Sequence, residues 1–231
     1  MSTIHLIGGE KGGVGKSLVA RILAQYLIDH AQPFQAFDSD RSHGALLRFY
    51  PQYTLPLPLD EIGGLDRVIE TAAAQRNKTV LVDLAAQSYT PLVLWMQDSR
   101  VLETAGELTL TLKYWHVMDS GRDSVELLGR LLDEFHGRLP LVLVLNQMRS
   151  ETFELLESSG QRARAEQLGA RVVVLNRLAD ATMQKIDAAN TSFWAAVNHS
   201  SSAQGTLGLL ERQRLTVWLN RAYEQIDLVG L

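Results

Sequence analysis

Lys11-Gly12-Gly13-Val14-Gly15-Lys16-Ser17 constrains this chain more than any other segment. Ahead of it, Thr3–Ile7 reads as a buried strand running into glycines. After it, Ser17–His30 reads as a helix with Leu18, Ile22, Leu23, Tyr26 and Leu27 on one face. A glycine-rich turn in that context has a specific use. Glycines let backbone N–H groups curl around phosphate oxygens, and the helix points its positive end at the same anion. Lys16 then reaches the β and γ phosphates, and the Ser17 hydroxyl can ligate Mg²⁺. Glu10 stands where the plain phosphate-loop spacing wants glycine, and Lys11 adds a second lysine.

The rest of the chain alternates short apolar runs with amphipathic ones. Gln35–Asp38, Thr79–Leu84, Leu108–His116, Leu139–Leu145 and Arg171–Leu175 read as strands. Asp60–Gln75, Ser120–Phe135, Glu151–Leu168 and Leu207–Ile226 read as helices, and Asn198–Gly208 as a surface loop. Strands separated by helices imply right-handed crossovers. The expected fold class is therefore α/β: one domain over residues 1–231, with a mainly parallel, twisted β-sheet flanked by helices. Composition narrows the chemistry. The chain has no cysteine, which excludes disulfides, iron–sulfur clusters and thiolate zinc sites. With 22 Lys+Arg against 26 Asp+Glu, no global positive field draws in nucleic acid. The N-terminus lacks the basic and apolar regions of a signal peptide, and the expected location is the cytoplasm.

The doubled lysine is the deviant Walker A form of the loop, and here the chain resembles the ParA/MinD family of P-loop ATPases. The resemblance implies ATP and Mg²⁺ as cofactors. It sets Gly12, Gly13, Val14, Gly15, Lys16, Ser17 and Leu18 against the nucleotide. Phe37-Asp38-Ser39-Asp40 looks like the family's D-x-D switch. By similarity Asp40 orients the attacking water and Asp38 holds the Mg²⁺ shell, tasks that suit carboxylates. The family continues with Pro-Gln; this chain has Arg41-Ser42-His43. Val80–Leu84 resembles the Walker B strand, whose Asp83 joins Ser17 and Asp38 around the metal. Leu143–Asn146 resembles the strand whose terminal asparagine reads adenine, and Val172–Leu178 the next strand, with Asn176 at its usual proline. Either asparagine could equally cap a turn.

The resemblance further implies an ATP-dependent homodimer. Lys11 of each subunit reaches its partner's ATP, and Lys11, Lys16 and Asp40 form the catalytic set. The expected function is slow, partner-stimulated hydrolysis that partitions or positions a cargo, through non-specific DNA binding and a stimulating adaptor protein. Arg162 with Arg164, and Arg212 with Arg214, form either a DNA face or solvated helix surface. The last helix ends in Glu224-Gln225-Ile226-Asp227-Leu228, which favours docking on the sheet over a membrane. Phe193 and Trp194 read as a partner anchor or as core. The alternatives are a MinD-like switch that hardly hydrolyses, acting on a protein or membrane, and an ATP-dependent ligase or synthetase on the same scaffold.

Overall fold

The apolar runs pair into one seven-stranded sheet in the computed structural model, which describes residues 1–9, 11–42, 44–59, 63–75, 77–199 and 207–231. The strands are β1 (Thr3–Gly8), β2 (Phe34–Asp38), β3 (Thr54–Pro56), β4 (Thr79–Asp83), β5 (Thr111–Met118), β6 (Leu141–Asn146) and β7 (Arg171–Leu175). Their order is β3-β2-β4-β1-β5-β6-β7, and neighbouring strands run parallel. A parallel sheet must be covered on both faces. On one face α1 (Lys16–Asp29), α2 (Ala45–Phe49), α9 (Asp180–Ala189), α10 (Phe193–Asn198) and α11 (Leu209–Val229) share a core with Ile7, Leu81, Trp115 and Val144. On the other, α3 (Asp66–Ala74), α4 (Tyr89–Asp98), α5 (Val101–Glu107) and α6 (Arg122–Phe135) pack on Ile4, Leu6, Val80 and Val82. The remaining helices, α7 (Glu154–Ser158) and α8 (Gln161–Gln167), lie against α6.

This order puts the topological switch at β1. The chain passes from β1 to β2 on one side, returns through β4, and continues from β5 on the other. Parallel sheets bind ligands beyond the carboxyl ends of their strands at such a point. The loop that leaves β1 lies there.

Several elements differ from the sequence reading. The helix expected over 151–168 is two helices, because Gly160 adopts φ 71° and turns the chain between them. The strand expected from Leu108 begins at Thr111, since Leu108 closes α5 and Thr109 takes φ 54°. The first helix is buried almost all round, from Val19 to Leu27, rather than on one face. The last helix docks as expected, burying Leu215, Trp218, Leu219, Ala222 and Ile226. Phe193 and Trp194 part company: one is fully buried, the other half exposed. Glu10 and His43 lie outside the described residues, as do Asp60–Ile62 of the expected Asp60–Gln75 helix and residues 200–206 of the expected loop. Among the described residues no helix is long and apolar enough to cross a membrane.

Candidate phosphate-binding site

The loop closes around its own backbone. Gly13 and Gly15 take φ 80° and 106°, in the left-handed region that a side chain disfavours. At Gly15 space forbids one as well: a Cβ there would sit 2.3 Å from the Asn146 amide nitrogen. That amide donates to the Val14 carbonyl at 2.7 Å, and its oxygen accepts from Met148 N–H at 3.0 Å. Asn146 is fully buried, and both ends of its side chain are engaged in holding the loop against β6. Asn176 turns elsewhere: its amide donates to Gln147, and its backbone carbonyl accepts from the Trp218 indole. The Lys16 ammonium donates to the Lys11 carbonyl at 3.0 Å, so the loop is held shaped from within.

Beneath the loop lie the carboxylates. Asp38 and Asp83 end adjacent strands and are register partners. Asp38 is committed: it accepts from Asp40 N–H and Leu47 N–H, each at 3.0 Å, so it caps the first turn of α2. Burial nevertheless pushes its carboxyl up. Asp83 is 2% exposed, and neither of its oxygens has a hydrogen-bond partner of good geometry among the described residues. Burial, then repulsion from Asp38, pushes its pKa up to about 8; the nearby Ser17 hydroxyl offsets only part of this. A buried, unsatisfied carboxylate is costly. Two abutting acids beside a serine hydroxyl fit a divalent cation that neutralises both. No cluster of three His, Asp or Glu among the described residues forms a closed cage. Mg²⁺ takes one or two protein oxygens and completes its shell with water and phosphate, so Ser17 and Asp83 fit it.

Over this floor opens a cavity of about 590 Å³, the size of a small-molecule site. Gly12, Gly13, Gly15, Lys16, Ser17 and Leu18 line its phosphate side together with Asp40 and Asp83. Its far side is made by Met148, Arg149, Met183, Gln184, Asp187 and Arg21. Lys11, Val14, Asp38, Asn146 and Asn176 are not on its wall, although Val14 and Asn146 hold the loop from behind. The sequence reading missed this far side, and with it Arg21. The signal was present: a guanidinium one turn past Ser17, in a helix otherwise apolar over that stretch. It also missed Asp119, which ion-pairs with Lys11 at 2.9 Å. Burial works to raise the Asp119 carboxyl, but hydrogen bonds from Lys11, Ser124 and Gly121 N–H outweigh it and hold it low.

The basic pairs divide. Arg162 bridges Glu157 and Glu166, and Arg164 meets Asp133. Arg212 and Arg214, on the first turns of α11, form no ion pair among the described residues.

No protein-family model matches the chain. It is 27% identical over 228 residues to protein MobD of Acidithiobacillus ferrooxidans, covering 97% of this chain and 96% of that one. Among solved structures, the MinD cell division protein of Aquifex aeolicus superposes with a TM-score of 0.54 at 15% identity, covering 97% of both chains. A plasmid partition protein of Borrelia burgdorferi, described as putative and bound to AMPPNP, superposes with a TM-score of 0.53 at 14% identity, covering 96% of this chain and 99% of that one. The fold, a seven-stranded parallel sheet with its glycine loop at the switch point, is that of P-loop NTPases. Sequence relatives and solved structures together point to the ParA/MinD family of P-loop ATPases.

Proposed function

We propose that this chain binds ATP with Mg²⁺ in the cavity above Asp83, dimerises on it, and hydrolyses it slowly to position a cargo. The observation that carries this reading is the buried Asp83 carboxyl beneath Ser17 and the glycine loop, with no well-formed hydrogen bond to either oxygen among the described residues. The Borrelia protein with AMPPNP supports the nucleotide class. Gly12, Gly13, Gly15 and Leu18 cradle the nucleotide, with Lys16 on its phosphates. Ser17 would hold the cation directly, and Asp83 and Asp38 through its shell. Bound there, Mg²⁺ neutralises charge on the phosphates. Asp40, at the rim of the cavity, orients the attacking water.

Lys11 acts across the dimer, where a second cation stabilises the transferring phosphoryl group. To do so it leaves Asp119 in its own subunit. The Lys11 side chain is 41% exposed, so solvent eases that exchange. The activity belongs to the cytosol, in keeping with the cysteine-free composition.

DNA is the proposed track, and the arginines suited to it are Arg212 and Arg214. Arg162 and Arg164 are already paired with acids. That pairing also favours a second reading, a nucleotide-dependent switch on a protein adaptor that hydrolyses little. One experiment separates them. ATP turnover, dimerisation by light scattering, and binding to random-sequence duplex DNA at two salt concentrations are measured with ATP, with ADP and without nucleotide. The Asp40→Ala variant should dimerise on ATP and bind DNA only then, less tightly at high salt. Lys11→Ala should bind ATP as a monomer and lose roughly 10³-fold in turnover, the scale of a missing trans cation. An ATP dimer that ignores DNA supports the adaptor switch. A chain that binds no nucleotide sinks both.

A further inference from the structure

One residue of the cavity wall has no place in the chemistry above. Arg21 is 4% exposed, in the middle of α1. Its Nη1 meets Asp187 at 2.8 Å, while Nε and Nη2 have no hydrogen-bond partner among the described residues. The guanidinium instead lies between two rings, 3.6 Å from the centroid of Phe49 on α2 and 4.8 Å from that of Phe193 on α10. Arg48 approaches the same Phe49 ring at 4.5 Å, so two cations share it. For stability alone this is a poor arrangement. Desolvation of a buried charge with one half-exposed partner costs more than a methionine of similar length would.

What the arrangement does is join elements. The helix that begins with Lys16 and Ser17 is stacked, through Arg21, onto the helix that Asp38 caps. One turn on, Gln25 repeats the tie. Its Oε1 accepts from Tyr50 Oη and from Trp194 N–H, each at 3.0 Å, and Tyr50 Oη accepts from Phe193 N–H. Asp38 ends β2, and α2, which follows Gly44, is held by this stack. Gly44 lies close against both aspartates: a Cβ on it would lie 2.9 Å from the Asp40 carbonyl and 3.1 Å from the Asp38 carboxylate. A planar cation suits such a joint, because it attracts both ring faces at once. A polyanion in the cavity that Arg21 lines lowers the cost of its charge, which tightens the joint when the site fills.

We propose that Arg21 is a positioning residue that fixes α2, and through it Asp38 and Asp40, relative to the phosphate loop when nucleotide is bound. The proposal rests on the ATP reading above. Its test compares wild type with Arg21→Met, which keeps the volume without charge or plane, and with Arg21→Lys, which keeps charge without the plane. ATP affinity, turnover at saturating ATP, thermal midpoint, and hydrogen exchange of residues 44–50 with and without ATP·Mg²⁺ are measured on each full-length protein. Arg21→Met should keep its midpoint and bind ATP within about fivefold of wild type. Its saturated turnover should fall at least tenfold, and residues 44–50 should lose the ATP-dependent slowing of exchange seen in wild type. Arg21→Lys should recover part of both. Unchanged turnover and exchange in Arg21→Met would overturn the proposal, as would a turnover loss that merely follows ATP affinity. If Arg21→Met fails to fold, Arg21→Lys decides by the same two readouts. If wild type hydrolyses no ATP, the exchange comparison decides alone. Failure of wild type to bind ATP removes the parent reading and this one together, and the affinity measurement shows that directly.

Discussion

The two sides of the cavity bury charge in opposite ways. On the phosphate side, neither Asp83 oxygen makes a well-formed hydrogen bond among the described residues, the nearby Ser17 hydroxyl offsets burial only in part, and metal-free the carboxyl holds a proton up to about pH 8. On the far side, Arg21 stays charged between two rings and one carboxylate, all from this chain. Two histidines in the sheet show the ordinary solution. His5 and His116 are fully buried, and burial lowers them to about 3 and about 4, so they remain neutral. A core histidine gives up its charge at no functional cost. Asp83 gives up its charge at the one place where the sheet topology and the glycine loop converge. Relief of Asp83 depends on something that binds, whereas Arg21 is relieved in part by two rings and a carboxylate of its own chain.

The sharpest break of that comparison is Asp83→Asn. If the carboxylate serves a cation, saturated ATP turnover should fall by roughly 10²-fold or more, in line with removing a preorganised electrostatic group. The stability signature runs the other way. The folded carboxyl titrates well above its unfolded value, so between about pH 4 and about pH 8 the folded state holds a proton that the unfolded state has released. Metal-free wild type therefore loses stability as pH rises through that window. The asparagine variant lacks this slope. At pH 8 without metal it should melt at least ~5 °C above wild type, at about 2–4 °C per kcal/mol for a chain of this size. At pH 4 the two should nearly coincide. Thermal midpoints across pH, with and without Mg²⁺·ATP, check this. A wild type no less stable than the variant at pH 8 would mean that Asp83 finds a partner inside the chain.

Much of this architecture is legible in the sequence. The strand–loop–helix around Lys11–Ser17 was readable because glycine and lysine spacing carries a local mechanism that tertiary packing does not override. Asp38 and Asp83 were readable because each ends an apolar strand. The far wall was not, since Arg21, Met148 and Met183 converge only through the sheet order, which no local pattern encodes. The segment between β4 and β5 also went unread. Its two short helices, α4 and α5, meet at Arg100, which takes φ 46° without glycine to mark the turn. Asn146 illustrates a subtler limit. Its residue type suits a base edge, yet a donor and an acceptor on one amide serve equally to pin a loop.

That ambiguity can be put to the test. Asn146→Ala would leave the Val14 carbonyl and the Met148 N–H without their buried partners. The expected cost is about 1–3 kcal/mol in unfolding free energy, measured by urea titration. ATP affinity should weaken as the loop loosens, while the preference for ATP over GTP stays as in wild type. A changed base preference with undiminished stability would return Asn146 to the adenine and move the loop's support elsewhere.

The smallest effect concerns charges committed on the surface. Arg162 lies on α8 between Glu157 and Glu166, both about half exposed. Exposed pairs of this kind contribute little, so Arg162→Ala should change stability by less than ~0.5 kcal/mol. It should also leave ATP-dependent DNA binding unaltered at low and high salt, because its counterions are already two carboxylates of the same chain. Arg212→Ala with Arg214→Ala should weaken that binding and flatten its salt dependence by roughly one counterion per arginine lost. If Arg162→Ala were the variant that lost DNA, the paired arginines would have to exchange carboxylates for phosphates on binding. Pairing with a carboxylate of the same chain would then no longer mark an arginine as structural, and only a measured DNA affinity would separate Arg162 from Arg212 and Arg214.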